Sequence, residues 1–356
     1  MEKLRVGIIG TGGISNLHMA GYKILQERGE VEVVAGCDID EEKVKRYIKK
    51  YDIPRYYTDC REMMEKEDLD VVSVCTWNAA HKECTIAALR GGANVICEKP
   101  MAMNAAEAEE MARVAKEEGK LLQVGFVRRF GNDAEIVTKF RENGNLGDIY
   151  YAKATYLRRD GCPGGWFGDK KFSGGGPLID LGVHVIDLVR YLAGNPQPVS
   201  AYGVTYDNIG SYRAEGGGVA WDKPEGEDNY EFSVEDFASA MVRFDSGLTL
   251  SVEASFNLNI KHDVGNIEIF GTKAGVNLSP DIEIYTDMAG LYVNVKPAGD
   301  SALSFDGLFE REIFGFVNAV RGIEPCRAPA EDGVALMKIL DAIYESARVG
   351  HSVEIK

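Results

Sequence analysis

Lys3-Leu-Arg-Val-Gly-Ile-Ile-Gly10-Thr-Gly12-Gly-Ile-Ser15 decides the fold of this chain. Its first half is a short apolar run of strand length, and it opens directly onto a glycine turn. That turn has the spacing of a dinucleotide fingerprint, with serine in the third glycine slot. Gly10 permits the tight turn, Gly12 lets backbone approach a pyrophosphate, and Ser15 is small enough for close helix-on-strand packing. Gly13 and Ile14 complete the turn, and a helix follows from about Ser15 through Gln26, whose first N–H groups suit an anion. Val31-Glu-Val-Val-Ala-Gly-Cys-Asp38 then reads as a second strand ending in an acid. Asp38 falls roughly 20 residues past the turn, where a ribose-binding carboxylate is expected. A carboxylate there accepts from the ribose 2′-OH and repels a 2′-phosphate, which favours NAD over NADP. Lys43 and Arg46, further along the next helix, remain able to reach a phosphate.

The rhythm of strand and helix continues outward from this stretch. Glu41–Tyr51 is a charged helix, Tyr56-Tyr57 a short strand, and 61–67 a short helix. Asp70-Val-Val-Ser-Val-Cys-Thr76 and Ala93-Asn-Val-Ile-Cys-Glu98 are buried parallel strands with a helix over 79–91 between them. Asn104 caps a helix to about Glu118, and Leu121–Phe126 is the last strand. This is a doubly wound parallel sheet, in which ligands sit beyond the carboxyl ends of strands. Those ends carry Thr76-Trp-Asn78, Glu98-Lys99-Pro100 and Gly125-Phe-Val-Arg128.

After Ile149 the pattern turns to strands: 150–157, 200–206, 236–244, 248–256 and 265–270. Glycine turns at Asp245-Ser-Gly247 and Gly271-Thr-Lys-Ala-Gly275 predict antiparallel pairing. Such a sheet has one face for its own helices and another left for solvent or a partner. The segment from Tyr206 to Ser233 reads as a long loop, and 330–348 returns to helix. The expected fold class is therefore α/β. A Rossmann domain spans 1–127, and an α+β domain with a large, mostly antiparallel open-faced sheet spans 128–356.

Within the second half, Pro177-Leu-Ile-Asp-Leu-Gly-Val-His-Val-Ile-Asp-Leu-Val-Arg-Tyr-Leu192 is apolar nearly all round. Its polar residues Asp180, His184, Asp187 and Arg190 share one helical stripe. A carboxylate and an imidazole in a buried helix are costly unless they partner each other or face a wet cleft. Asp180 and His184, four apart, suit a carboxylate that orients a histidine for proton transfer.

Composition narrows the function. The 356 residues are long for one core, and the net charge of −16 argues against nucleic acid and acidic membrane surfaces. The seven cysteines form no Cys-x-x-Cys pair, so no zinc site or redox pair is signalled, and no metal is expected. Cys37, Cys75 and Cys97 sit in strands as small core hydrophobes. With no signal peptide and no apolar run of spanning length, a cytoplasmic protein is expected.

Together these pieces resemble the glucose–fructose oxidoreductase / inositol dehydrogenase (Gfo/Idh/MocA) family over essentially the full chain. The residues carrying the resemblance are Gly10–Ser15, Cys75-Thr-Trp-Asn-Ala-Ala-His81, Glu98-Lys99-Pro100, Gly125-Phe-Val-Arg-Arg-Phe130 and Gly174-Gly-Gly-Pro-Leu-Ile-Asp-Leu-Gly-Val-His184. The residue before Asn78, commonly proline in that family, is here Trp77.

The resemblance implies a Rossmann domain followed by an open-faced domain and hydride transfer between NAD and a secondary alcohol of a sugar, glycoside or cyclic polyol. It implies that Lys99 bonds the substrate hydroxyl, that His184 is the general base or acid, and that Asp180 fixes its tautomer. Thr76, Asn78, His81 and Glu98 would lie on the cofactor side, although His81 reads equally as an exposed helix residue. Arg128 would face substrate, and Arg158 and Trp166, in a glycine-rich loop, would line a pocket for a hydroxylated ring. A homodimer or homotetramer through the second sheet is expected. Two alternatives stay open. One retains NAD and uses transient oxidation for glycoside cleavage or epimerisation; the other is a non-catalytic dinucleotide or sugar sensor. Retention of Lys99, Asp180 and His184 together argues for catalysis.

Overall fold

The computed structural model describes residues 2–210, 232–298 and 307–356. The chain forms two compact units, Met1–Val127 with Asp306–Val334, and Arg128–Phe305 with Ala335–Lys356.

In the first unit, β1 (Leu4–Ile9), β2 (Val31–Cys37), β3 (Arg55–Tyr57), β4 (Val71–Val74), β5 (Asn94–Cys97) and β6 (Leu122–Val124) form one parallel sheet. Their order is β3-β2-β1-β4-β5-β6. The order reverses between β1 and β4, so a crevice opens beyond the carboxyl ends of those strands. Helices α1 (Gly13–Glu27), α2 (Glu41–Tyr51), α3 (Cys60–Lys66), α4 (Asn78–Arg90) and α5 (Ala105–Glu117) make the crossovers. The expected cap of α5 is present: Asn104 Oδ1 accepts from Glu107 N at 3.0 Å. Val6, Ile8, Val33, Val71 and Ile96 are buried together with Ile313, Phe316 and Val317 of a later helix, Leu308–Val320. Cys37, Cys75 and Cys97 are buried core thiols.

The second unit contains α6 (Asn132–Glu142), β7 (Ile149–Leu157), the single turn α7 (Lys170–Ser173), α8 (Val183–Leu192) and β8 (Pro198–Tyr206). After them come β9 (Phe237–Phe244), β10 (Thr249–Ser255), β11 (Val264–Gly271), β12 (Ala274–Asn277), β13 (Glu283–Met288) and β14 (Leu291–Val295). The helix Leu308–Val320, belonging to the first unit, is α9; α10 (Ala330–Val349) and β15 (Val353–Glu354) end the chain. The nine strands run β14-β13-β12-β11-β7-β10-β9-β8-β15. Pairing is antiparallel except between β7 and β10. Both glycine turns expected from the sequence join antiparallel neighbours, β9 with β10 and β11 with β12.

Alternation assigns the two faces of this sheet. Ala152, Ala154, Val242, Leu250, Val252, Ile267 and Ile269 are buried on one side, while Tyr202, Met241 and Lys153 are exposed on the other. A π-helical turn, Leu178–Gly182, leads into α8, and its Gly182 lies against Ala254 of β10 on the buried side. The stretch Lys170–Leu192 does reach spanning length, contrary to the sequence expectation, with a mean hydropathy of 1.2 over its most apolar 18 residues. Those residues are 83% buried within the protein, as in a core helix. The loop expected from Tyr206 to Ser233 falls mostly on residues 211–231, outside the described residues.

Candidate active site

The glycine turn follows β1 as the sequence requires. Gly10 has φ +86°, and a Cβ there would lie 2.5 Å from the Cys75 carbonyl oxygen at the end of β4. Only glycine supplies both the left-handed backbone and that close approach. A Cβ on Gly12 would meet just the far end of Lys43, at 3.8 Å, so the space over this residue is open. Gly12 is the N-cap of α1 and no side chain caps the helix, leaving the first-turn N–H groups of Gly13 and Ile14 without a side-chain acceptor. Ser15 Oγ turns back to the Gly12 carbonyl, at 2.7 Å.

Asp38, at the end of β2, is buried and already engaged. Its Oδ2 accepts from Thr11 N at 2.8 Å and Thr11 Oγ1 at 2.9 Å, and lies 3.3 Å from Lys43 Nζ. Oδ1 accepts from Asp40 N at 3.1 Å. The carboxylate is thus locked to the glycine turn, with acceptor capacity left on Oδ1. An open glycine cradle, an uncapped helix start and an oriented acid fit a dinucleotide, for whose phosphates Gly10, Gly12, Gly13 and Ile14 are the candidates and for whose ribose Asp38 is the candidate.

The ends of β4 and β5 carry the next group. Trp77, just before α4, has φ −70°, within the range a proline would impose. Asn78 opens α4 and is buried, and Thr76 is half-buried. His81 is fully buried rather than exposed, with Nδ1 2.7 Å from the Pro100 carbonyl and Nε2 3.1 Å from the Thr76 carbonyl. It ties the β4–α4 turn to the Glu98-Lys99-Pro100 segment. Burial lowers its pKa, outweighing the two carbonyls that favour the charged ring.

Lys99 is half-buried, and its peptide bond to Pro100 is cis. Glu98 holds it from behind: Oε2 accepts from Lys99 N at 3.2 Å, and Oε1 is 2.8 Å from His18 Nε2. His18 Nδ1 meets Ser73 Oγ at 3.1 Å, which in turn meets the Tyr22 hydroxyl at 2.9 Å. Burial pushes the Glu98 carboxyl up, and the bond and charge of His18 outweigh it, leaving the group below its ordinary value. With Glu312, His18 and Glu98 form a buried trio whose nearest nitrogen and oxygen atoms lie within 4.8 Å of one another. Asp180 and His184 are not part of it.

In the second unit the polar stripe divides in two. Asp187 receives a two-pronged ion pair from Arg129, with Nε–Oδ2 at 2.9 Å and Nη2–Oδ1 at 2.6 Å. Arg190 donates to the Pro196 carbonyl at 2.9 Å. Both are sealed, at 2% and 1% exposure. Asp180 is 8% exposed and His184 is half-buried, so the amino-terminal half of the stripe alone reaches toward solvent. Asp180 lies in the π-helical turn, a feature that recurs at functional sites.

The softer candidates are placed as follows. Arg128 is buried, 3.5 Å from Asp133. Arg158 donates to the Gly161 carbonyl at 2.8 Å and sits 5.3 Å from the Tyr156 ring centre. Trp166 stacks on Phe167, ring centres 3.9 Å apart. The sequence reading passes over His18, Arg129 and Glu235. His18 shows one signal, a histidine three residues past Ser15 on the packed side of α1; the other two have partners remote in sequence.

Residues 4–126 match the model of an oxidoreductase family with an NAD-binding Rossmann fold, and residues 136–277 match a GFO/IDH/MocA C-terminal domain. The chain is similar to D-glucoside 3-dehydrogenase of Escherichia coli strain K12, 36% identical over 354 residues, 99% of this chain and 97% of that one. It is also similar to myo-inositol 2-dehydrogenase of Thermotoga maritima, 26% identical over 99% of both chains. Among solved structures, levoglucosan dehydrogenase in complex with NADH and levoglucosan superposes with a TM-score of 0.84 over 99% of both chains, at 24% identity.

Proposed function

Because the chain belongs to the Gfo/Idh/MocA oxidoreductase family, we propose that it oxidises a secondary hydroxyl of a glycoside or closely related sugar with NAD. It is an NAD-dependent oxidoreductase acting on CH–OH groups of sugars or polyols. The full-length similarity to a glucoside dehydrogenase, ten percentage points above that to an inositol dehydrogenase (36% against 26%), favours the glycoside. The observation that carries catalysis, rather than sensing, is the divided stripe. Asp187 and Arg190 are sealed at 2% and 1% exposure, while Asp180, in the π-helical turn, is 8% exposed and His184, in the first turn of α8, is half-buried.

When bound, NAD supplies the hydride acceptor. The chain's own residues manage the hydroxyl. Lys99 donates to its oxygen and favours the alkoxide form, His184 removes its proton, and Asp180 holds the imidazole in the accepting tautomer. Arg128, Arg158 and Trp166 are the candidates for holding the sugar ring. A cytoplasmic homo-oligomer built on the outer face of the second sheet completes the reading. Paired neighbours Tyr202 and Met241 are 47% and 48% exposed there, an apolar patch suited to a second copy.

Absorbance at the reduced-nicotinamide band, with glycosides, free sugars and inositols offered in turn, tests this. Bulk NAD reduction by a glycoside supports the proposal, and reduction by inositols alone overturns the substrate class. Reduced cofactor found on the purified protein, without bulk turnover, supports the retained-NAD alternative.

A further inference from the structure

The run Gly174-Gly175-Gly176-Pro177 before the Asp180–His184 helix closes around one distant side chain. Glu235 Oε2 accepts the N–H of Gly176 at 2.9 Å, and Oε1 accepts the N–H of Leu178 at 3.2 Å and the Tyr344 hydroxyl at 2.9 Å. Pro177, between the two backbone donors, has no N–H to offer. One carboxylate therefore takes both donors that flank the helix start, a place where no nearby side chain caps. Gly176 is bonded on its other side as well, since its carbonyl accepts from Asp180 N at 3.1 Å. A single residue, Gly176, thus separates Glu235 from the backbone of Asp180. The glycines make this arrangement possible: a Cβ on Gly175 would collide with the Tyr344 hydroxyl, and one on Gly176 with the Glu235 carbonyl.

We propose that Glu235, held by Tyr344, is a positioning residue for the Asp180–His184 pair, setting the start and register of the π-helical turn that carries Asp180 and leads into α8, where His184 lies. The proposal rests on the proton-transfer role given to His184 above. An anion at a helix start is favourable in itself, but the geometry does more than stabilise. Two fixed N–H groups and the Gly176 carbonyl determine where Asp180 begins its turn, and hence how His184, four residues on, is presented. Burial raises the Glu235 carboxyl above its ordinary value, while its donors hold the charged form. Glutamine in its place keeps the shape and loses one acceptor, setting an N–H against an N–H.

The test uses the full-length protein with NAD and a methyl glucoside, comparing Glu235→Gln, Tyr344→Phe and His184→Ala with the parent. For Glu235→Gln, kcat is expected to fall by about 10- to 100-fold, as for misplaced catalytic groups. NAD affinity should stay near the parent's, while the melting temperature falls by a few degrees with the lost acceptor. The solvent deuterium isotope effect on kcat should rise, because proton transfer becomes more limiting. Tyr344→Phe should show the same pattern more weakly, and it decides the matter where Glu235→Gln does not fold. The imidazole NMR signal of His184, identified by its loss in His184→Ala, should shift in Glu235→Gln without any substrate. Parent-like kcat, isotope effect and His184 signal in both Glu235→Gln and Tyr344→Phe, with His184→Ala inactive, overturn the proposal alone. Normal turnover in His184→Ala overturns the reading beneath it, and the proposal with it.

Discussion

His18 Nε2 lies 2.8 Å from Glu98 Oε1 inside the first unit, joining the helix of the glycine turn to the strand end that carries Lys99. The Glu98-Lys99-Pro100 segment, proposed above to meet the substrate hydroxyl, is therefore held by a residue of α1. Replacing His18 with leucine leaves Glu98 buried without this bond. The expected cost near neutral pH is about 1.5–3 kcal/mol, the range for hydrogen bonds to charged groups. The pH dependence follows from the sign of the Glu98 shift. In the parent its folded value is depressed, so its contribution is present above the ordinary value of 4.5 and is lost as pH falls through the lower folded value. In the variant, burial acts without its main opposition, and acidification relieves the buried charge. The stability gap between parent and variant should narrow between pH 7 and acid. Urea titrations at both pH values measure it, and an unchanged gap overturns the account.

Gly10 and Gly12 should respond differently to alanine, although both belong to one motif. Gly10→Ala combines φ +86° with a Cβ 2.5 Å from a backbone oxygen, so the melting temperature should drop by several degrees. Gly12→Ala meets only the mobile end of Lys43, so the fold should hold while NAD affinity falls. Calorimetry and NAD titration of both variants separate the effects. Equal loss of stability in the two would remove the argument that Gly12 leaves space for the cofactor.

The glycine turn was legible because its constraints are local: a strand, a tight turn and a helix start within thirteen residues. Asp38 was legible for the same reason, at a fixed distance along one βαβ unit. What escaped the sequence is non-local. His18 looks like any helix residue until Glu98, 80 residues later, arrives beside it. Glu235 looks like an acid before a strand until Gly176 and Tyr344 close on it from 59 and 109 residues away. The sequence leaves helix α9 unmarked because Leu-Phe-Glu-Arg-Glu-Ile-Phe-Gly-Phe mixes aromatics with a glycine, yet Ile313 and Phe316 are fully buried in the cluster that holds Val6 and Ile8 of β1. Strands β13 and β14 escaped because exposed Tyr285, Met288, Leu291 and Tyr292 blur the alternation that marks a half-buried strand.

His81 provides a pH test independent of activity. Its ring is buried and its pKa lowered, so between the folded value and the ordinary 6.5 the unfolded chain binds a proton that the folded one does not. Its contribution to stability therefore declines as pH falls through that window. Melting temperatures from pH 7.5 to 5 should fall less steeply in His81→Gln than in the parent. Identical slopes would show that His81 is not held neutral.

Lys99→Met and His184→Ala should each nearly abolish turnover, with NAD binding retained. In the proposed reading Lys99 adds charge stabilisation at the hydroxyl oxygen and His184 accepts the proton, and groups of this kind contribute about 10²–10⁴-fold each. Initial rates with the best glycoside, together with NAD titration by fluorescence, check both halves. Normal rates in both variants would sink the catalytic assignment, whereas loss of NAD binding would recast Lys99 as a cofactor residue.

Asp38 is the residue proposed to meet the cofactor ribose, and its carboxylate is already engaged on both oxygens. Oδ2 is committed to Thr11, so a ribose hydroxyl must use Oδ1, which already accepts from Asp40 N at 3.1 Å. One added charge-assisted hydrogen bond remains, worth about 1.5–3 kcal/mol, or roughly 10- to 100-fold in affinity. Asp38→Ala should weaken NAD by that amount. It also removes the carboxylate 3.3 Å from Lys43 Nζ and leaves that ammonium free to meet a 2′-phosphate, so NADP affinity should rise in the same variant. Paired titrations with NAD and NADP read both changes at once. Tighter binding of NADP than NAD by the unmutated protein would show that Lys43, rather than Asp38, governs the ribose end.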